Sequence, residues 1–228
     1  MPGDADIASV AALLADPTRT GMLLALSDGR ALPAGDLARH VRVSASTASN
    51  HLTKLVEHRL LVVEKQGRHR YFRLADPEIE HMLETLALFA PPAPIHSLRE
   101  SEAACAIRAA RMCYNHLAGE LGVALAQALV EKNVLVTMDD GYLMTDDGEH
   151  WFRALGVDYT KLKKQGKIFA PHHIDWSERR HHVAGGLGAA LARRFFDLDW
   201  VRRLPTSRAV RLTDEGQSEL KKELGLCL

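Results

Sequence analysis

The stretch from Asp36 to Leu74 constrains the fold more than any other part of this 228-residue chain. It contains Asp36-Leu-Ala-Arg-His-Val41, Ser44-Ala-Ser-Thr-Ala-Ser-Asn-His-Leu52 and Gln66-Gly-Arg-His-Arg-Tyr-Phe-Arg-Leu74. Pro33 opens a short helix that runs through Val41. Ser44 suits the N-cap of a second helix reaching Arg59, because its hydroxyl can accept from a first-turn amide. In that helix Ala48, Leu52, Leu55 and Val56 recur at helical spacing and turn inward. Ser46, Thr47, Ser49, Asn50, His51 and Lys54 turn outward. Serine and threonine compete for backbone hydrogen bonds inside helices, so their density here asks for a reason beyond capping. Small hydroxyl residues at a helix N-terminus can approach phosphates and base edges closely. Leu60–Glu64 and Arg70–Leu74 read as strands around the turn Gln66-Gly67. Lys65, Arg68, His69 and Arg70 lie near its tip. Helix, turn, polar-faced helix and basic hairpin together make a winged helix-turn-helix.

Charge supports a polyanion partner. The chain carries 29 Lys/Arg and 29 Asp/Glu, yet residues 39–73 hold eight bases (Arg39, Arg42, Lys54, Arg59, Lys65, Arg68, Arg70, Arg73) against Glu57 and Glu64. That segment is +6 and the remainder −6. A basic patch on a neutral chain, coincident with a helix-turn-helix pattern, is the footprint expected of a DNA-binding surface.

Upstream, Ile7, Val10, Leu13 and Leu14 share one helical face. Asp16-Pro17 then restarts a helix, with Asp16 as N-cap and Pro17 at the first helical position. Asp76 caps an amphipathic helix carrying Ile79, Met82, Leu83 and Leu86. Leu14-Ala-Asp-Pro-Thr-Arg19, Asp36-Leu-Ala38, Ser44-x-Ser-Thr-x-Ser-x-His-Leu52 and Gly67-Arg-x-Arg-Tyr-x-x-Leu74 together resemble the ArsR/SmtB family of bacterial regulators. The resemblance covers residues 5–90. It implies a homodimer built by the first helix and the helix after the wing, and repression released by an effector, often a metal ion. The chain departs from the metal-sensing members. Ala38 and Arg39-His40 stand where those members carry a cysteine pair, and His81 with Glu84 supplies only two ligands after the wing. The familiar metal sites are therefore not expected.

Ala90-Pro-Pro-Ala-Pro94 reads as a stiff linker. Beyond it the chain repeats itself. His116-Leu-Ala-Gly-Glu-Leu-Gly-Val-Ala-Leu-Ala126 recurs as His182-Val-Ala-Gly-Gly-Leu-Gly-Ala-Ala-Leu-Ala192, with eight of eleven positions identical. Leu143-Met-Thr-Asp-Asp-Gly148 recurs as Arg211-Leu-Thr-Asp-Glu-Gly216. Such self-similarity predicts two copies of one supersecondary unit. Each copy reads as helix, hairpin, helix. Val134–Met138 and Tyr142–Met144 flank Asp139-Asp-Gly141, while Trp200–Leu204 and Ala209–Leu212 flank Pro205-Thr-Ser207. Thr145 and Thr213 are suited to cap the helices that follow. The helices before these hairpins are apolar and glycine-rich, unsuited to reading DNA. Gly119, Gly122, Gly185, Gly186 and Gly188 each cost roughly 1 kcal/mol against alanine inside a helix. Close helix packing between the copies, or a ligand lying on the glycine face, would each account for them.

Histidines crowd the same region: His172-His173, His181-His182, and His116 as the counterpart of His182. Cys113-Tyr-Asn-His116 would place a thiol and an imidazole one helical turn apart, a spacing suited to a metal pair. In relatives with a similar tail a cysteine stands near Ile174–Arg179; His173 takes that place here. Cys113, His116, His173, Asp175 and His182 form the candidate effector set, for a transition metal or haem. An organic ligand in the cleft between the copies and a tail serving dimerisation alone are the other readings. With Cys105, Cys113 and Cys227 in no CxxC pair, thiol redox sensing is disfavoured.

No run of about 18 apolar residues points to a membrane span. No GxSxG, HExxH, P-loop or dinucleotide fingerprint points to an enzyme. The expected class is α+β, mainly α: a winged helix-turn-helix domain over 1–90, then a C-terminal domain over 95–228 of two duplicated helix–hairpin–helix, winged-helix-like units, about 98–156 and 157–228. The expected protein is a cytoplasmic, dimeric, effector-responsive repressor on double-stranded DNA. A DNA-binding architectural protein, or an enzyme using the C-terminal His/Cys cluster, is the alternative.

Overall fold

The computed structural model describes residues 3–67, 69–162, 168–205 and 207–227. The chain divides into two compact units, ending and beginning at Leu83 and Glu84. The division falls inside a helix rather than at the proline-rich 90–94 segment that the sequence suggests.

The first unit contains α1 (Ile7–Leu14), α2 (Pro17–Ala25), β1 (Leu32–Pro33), α3 (Ala34–His40), α4 (Ala45–Glu57), β2 (Leu61–Gln66), β3 (His69–Leu74) and the start of α5 (Pro77–Ala87). Asp16 caps α2 by accepting from the Arg19 amide at 2.9 Å. Arg19 in turn donates to the carbonyls of Leu13 (2.7 Å) and Ala12 (2.9 Å). The Asp-Pro-Thr-Arg motif thus satisfies the orphan groups at the end of one helix and the start of the next. The strands form an antiparallel sheet in the order β1-β3-β2. Met22, Leu23, Leu26, Leu37, Leu52, Leu55, Leu61, Phe72 and Leu74 close the core beneath it.

The second unit continues with α6 (Leu98–Ala109), β4 (Arg111–Cys113), β5 (His116–Ala118), α7 (Gly119–Glu131), β6 (Leu135–Met138), β7 (Gly141–Met144) and α8 (Asp146–Leu155). It then runs through β8 (Phe169–Ile174), β9 (His181–Val183), α9 (Gly185–Asp197), β10 (Val201–Arg203), β11 (Val210–Leu212) and α10 (Asp214–Leu224). The order hairpin, helix, hairpin, helix therefore occurs twice. Thr145 and Thr213 cap α8 and α10 by accepting from Gly148 and Gly216. Each hydroxyl also donates back across the hairpin, to Asn133 at 2.6 Å and Asp199 at 2.8 Å.

Two expectations need correction. A hairpin precedes each glycine-rich helix, and the segment 113–116 is no helix. Cys113 and His116 are cross-strand partners around the tight turn Tyr114-Asn115, with Tyr114 at φ 54°. The strands are only three residues long and buried on both faces, so they show no apolar alternation in the sequence. The glycines also have a definite role. A Cβ on Gly122 would meet the Leu117 carbonyl at 2.5 Å, and one on Gly188 would meet the Val183 carbonyl at 2.4 Å. Each helix folds back onto the strand that feeds it. The cavity between the glycine faces, lined by Leu117, Gly122, Val183 and Gly188, measures about 10 Å³, enough for at most one water; a larger one of about 370 Å³, lined by Ala106, Leu121, Leu204, Val210 and Leu212, also draws on both copies. No described helix is long and apolar enough to cross a membrane.

Candidate functional site

The first unit presents the polar helix as the sequence predicts. Ala48, Leu52 and Leu55 of α4 are buried, with Val56 partly so. Ser44, Ser46, Thr47, Ser49, Asn50 and Lys54 are exposed. Ser44 accepts from the Thr47 amide at 3.1 Å, and its hydroxyl also meets Ser46 Oγ (2.9 Å) and Thr47 Oγ1 (2.8 Å). The hydroxyls at the helix entry are thereby ordered beside amides that favour an anion. His51 departs from expectation. It is partly buried, its Nδ1 3.8 Å from Asp16 Oδ1 across from α2. On the wing Lys65, His69 and Arg70 are exposed. The Arg70 guanidinium lies 5.6 Å from the Phe72 ring centroid, and Arg73 pairs with Glu64 across the hairpin. Arg68 lies outside the described residues.

In the second unit the histidines sort onto two faces, because alternate strand residues point to opposite sides of a sheet. His172 and His181 stack with centroids 3.7 Å apart on one side. His173 pairs with His182 across β8 and β9, as Cys113 pairs with His116 across β4 and β5. The two cross-strand pairs meet. His116 Nε2 is 3.2 Å from His182 Nε2, and Cys113 Sγ is 3.9 Å from His173 Nδ1. One donor atom from each of the four residues lies within 4.8 Å of all the others. Cys113, His116 and His182 are buried and His173 partly so.

Asp175 stands beside this cluster, not in it. Its Oδ2 accepts from Arg111 Nη2 (2.9 Å) and the Gly119 amide (2.6 Å). Its Oδ1 accepts from the Ser177 amide and hydroxyl (2.9 and 2.6 Å) and from the Glu178 amide (3.1 Å). Burial alone would raise its carboxyl, but the Arg111 charge and these donors hold it at about 2. His182 is pushed down to about 3, chiefly by burial. Both groups are thus fixed in one state near neutrality: Asp175 ionised and His182 neutral.

Arg111, Arg208 and Trp176 belong to this neighbourhood, and sequence reasoning missed them; Glu84, which the sequence offers only as a ligand beside His81, belongs to it too. Arg111 is fully buried, its Nη2 3.1 Å from Glu84 Oε2, and its guanidinium lies 4.8 Å from the Trp176 ring. Arg208 pairs with the other Glu84 oxygen at 2.5 Å. A lone arginine in Ala110-Arg-Met-Cys113 carries no mark of this role; only a full set of partners makes its burial tolerable. The position of the family's absent cysteine pair is also visible: Ala38, buried in α3, offers no ligand atom.

A helix-turn-helix domain model matches residues 14–64. The HTH-type transcriptional regulator YdfF of Bacillus subtilis (strain 168) is 43% identical, over 97% of this chain and 98% of its own length. The HTH-type transcriptional regulator CmtR of Mycobacterium tuberculosis (strain ATCC 25618 / H37Rv) is 40% identical over 80 residues, covering 35% of this chain and 67% of that protein. Among solved structures, HlyU of Vibrio cholerae N16961 is 26% identical, with a TM-score of 0.36 over 39% of this chain and 97% of that chain. With the helix-turn-helix of the first unit and a relative matched over 98% of its length, the chain belongs to the ArsR/SmtB family of winged helix-turn-helix, DNA-binding transcriptional regulators.

Proposed function

We propose that this protein is a dimeric, cytoplasmic, effector-responsive repressor that binds a palindromic operator and performs no catalysis. The observation that carries the reading is α4, whose inner face is buried while Ser46, Thr47, Ser49, Asn50 and Lys54 stand exposed beside a capped N-terminus. Such a helix enters the major groove with its N-terminal residues on base edges, while Lys65, His69 and Arg70 of the wing hold the backbone. Apolar side chains left exposed on α1 (Ile7) and α5 (Leu86) support the dimer that the family resemblance implies. The second unit, taken as a duplicated hairpin–helix–hairpin–helix, supplies the effector site. Its buried Cys/His cluster is a concentration of ligand chemistry that neither DNA binding nor core packing requires. An effector bound there would act by favouring one of two poses of the reading heads.

The test is titration of the protein's own promoter at several salt concentrations. Lys54→Ala and Arg70→Ala should each weaken binding and lower the salt slope by about one. Unchanged affinity and slope in both variants would remove α4 and the wing as the DNA surface. Binding with no sequence preference would favour an architectural protein instead.

A further inference from the structure

We infer that Cys113, His116, His173 and His182 form a mononuclear transition-metal site of one thiolate and three imidazoles, of the zinc(II) class. As a metal site the inference stands on the second unit alone; as the effector site it rests on the regulator reading above.

The first argument is spacing. A tetrahedral ion with Zn–N near 2.05 Å sets its nitrogens about 3.3 Å apart, and with Zn–S near 2.3 Å its sulfur about 3.6 Å from a nitrogen. The observed His116–His182 and Cys113–His173 separations are 3.2 and 3.9 Å. All four donors share one 4.8 Å neighbourhood, so an ion is enclosed by small side-chain rotations.

Lone-pair orientation gives the second argument. His116 Nδ1 lies 3.2 Å from Asn115 Oδ1. An amide oxygen only accepts, so Nδ1 carries the proton and Nε2 a lone pair. His182 Nδ1 is fully buried and has no hydrogen-bond partner among the described residues; it faces Asp175 Oδ2 across 4.0 Å. Next to an ionised carboxylate the proton belongs on Nδ1, which again leaves a lone pair on Nε2. Two nitrogen lone pairs then confront each other at 3.2 Å inside the protein. A cation between them turns that repulsion into two bonds. Asp175, 4.0 Å from His182 Nδ1, stands on the side from which a carboxylate favours that tautomer of a metal-ligating histidine, and Asn115 holds the same tautomer of His116.

Donor chemistry and shape select the class. One soft sulfur with three imidazoles, and no carboxylate or carbonyl oxygen in the set, disfavours magnesium and calcium. Four donors converging on one point leave no plane for a haem macrocycle. The site takes one pair of ligands from each half of the second unit, so an ion ties hairpin β4–β5 to hairpin β8–β9.

The experiment uses the full chain, stripped with a chelator and titrated with cobalt(II), then zinc(II). The expected result is one equivalent of cobalt with strong visible tetrahedral bands and a near-ultraviolet thiolate charge-transfer band, all displaced by one equivalent of zinc. Cys113→Ser should abolish the charge-transfer band, and the exposed Cys105→Ser should leave it unchanged. His173→Gln, at the least buried ligand, should weaken zinc binding at least about tenfold. Circular dichroism of the metal-free variant establishes that it is folded. No cobalt spectrum from the wild-type chain, or a charge-transfer band that survives in Cys113→Ser, overturns the site. Promoter binding measured with and without zinc separates the two readings. Metal uptake with unchanged DNA affinity keeps the site and overturns its effector role. Absent metal uptake with intact promoter binding overturns the site and leaves the regulator standing.

Discussion

His116 and His182 face each other at 3.2 Å, and each stands against a glycine of the opposite half. A Cβ on Gly188 would reach within 3.0 Å of His116 Cβ, and one on Gly122 within 3.6 Å of His182 Cβ. The repeated Gly at this position therefore serves two ends: it lets the helix approach its own preceding strand and leaves room for the imidazole from across the unit.

Gly122→Ala and Gly188→Ala should both destabilise the second unit, by about 1–3 kcal/mol as overpacking does. Backbone carbonyls at 2.5 and 2.4 Å cannot yield as a flexible side chain would. Gly188→Ala should also perturb His116, visible as a shifted imidazole resonance. Urea midpoints matching wild type in both variants would contradict this packing.

The buried charges make a second case. Removing Arg111 leaves Glu84 and Asp175 without a cation that each contacts, so Arg111→Ala should cost about 3–5 kcal/mol. Arg202→Ala, which breaks only an exposed pair with Asp199, should leave the denaturation midpoint unchanged. Equal effects from the two variants would deny the network its structural role.

Glu84 also gives the acid response a direction. Burial opposes its ionisation, but Arg208 and Arg111 hold its carboxyl below the ordinary 4.5. A carboxylate depressed in the folded state stabilises above its unfolded value, and that contribution is lost as pH falls through the folded one. Stability should therefore decline below about pH 4.5 with a share that Glu84→Gln removes, read from urea midpoints across pH.

The two threonine caps should behave alike. Thr145→Ala and Thr213→Ala each delete an acceptor for a first-turn amide and a donor to the hairpin, and each should cost about 0.5–2 kcal/mol. A large loss in one half and none in the other would show that the two hairpins are held differently.

On DNA the two kinds of contact should separate. Asn50→Ala on α4 should relax base preference at one operator position, by about 1–3 kcal/mol of discrimination. Lys65→Ala on the wing should weaken all sequences evenly. Binding to a set of single-base operator variants distinguishes the two patterns.

The first unit was legible in the sequence because its elements are set by local chemistry. Asp16, Ser44 and Asp76 each accept from an amide two or three residues on, and Gly67 turns the wing at φ 59°. His51 is half-buried where the periodicity turns it outward, because Asp16, far off along the chain, stands beside it. The repeat, the later hairpins and the threonine caps were legible for the same local reason. Strands β4 and β5 were not, since three residues buried on both faces leave no periodic trace.

The sequence by itself determined the helix-turn-helix, the recurrence of segment 116–126 at 182–192 and the residue types available for ligation, because caps, turns and helical periodicity act over a few residues. Only the tertiary structure decided which of those residues meet. It separated His172 and His181 from His173 and His182 by strand alternation, and moved Asp175 out of the ligand set by saturating its oxygens. It also recruited Arg111 and Glu84, 27 positions apart, as a buried pair. Charge burial and donor convergence depend on distances between segments remote in sequence, which folding alone brings together.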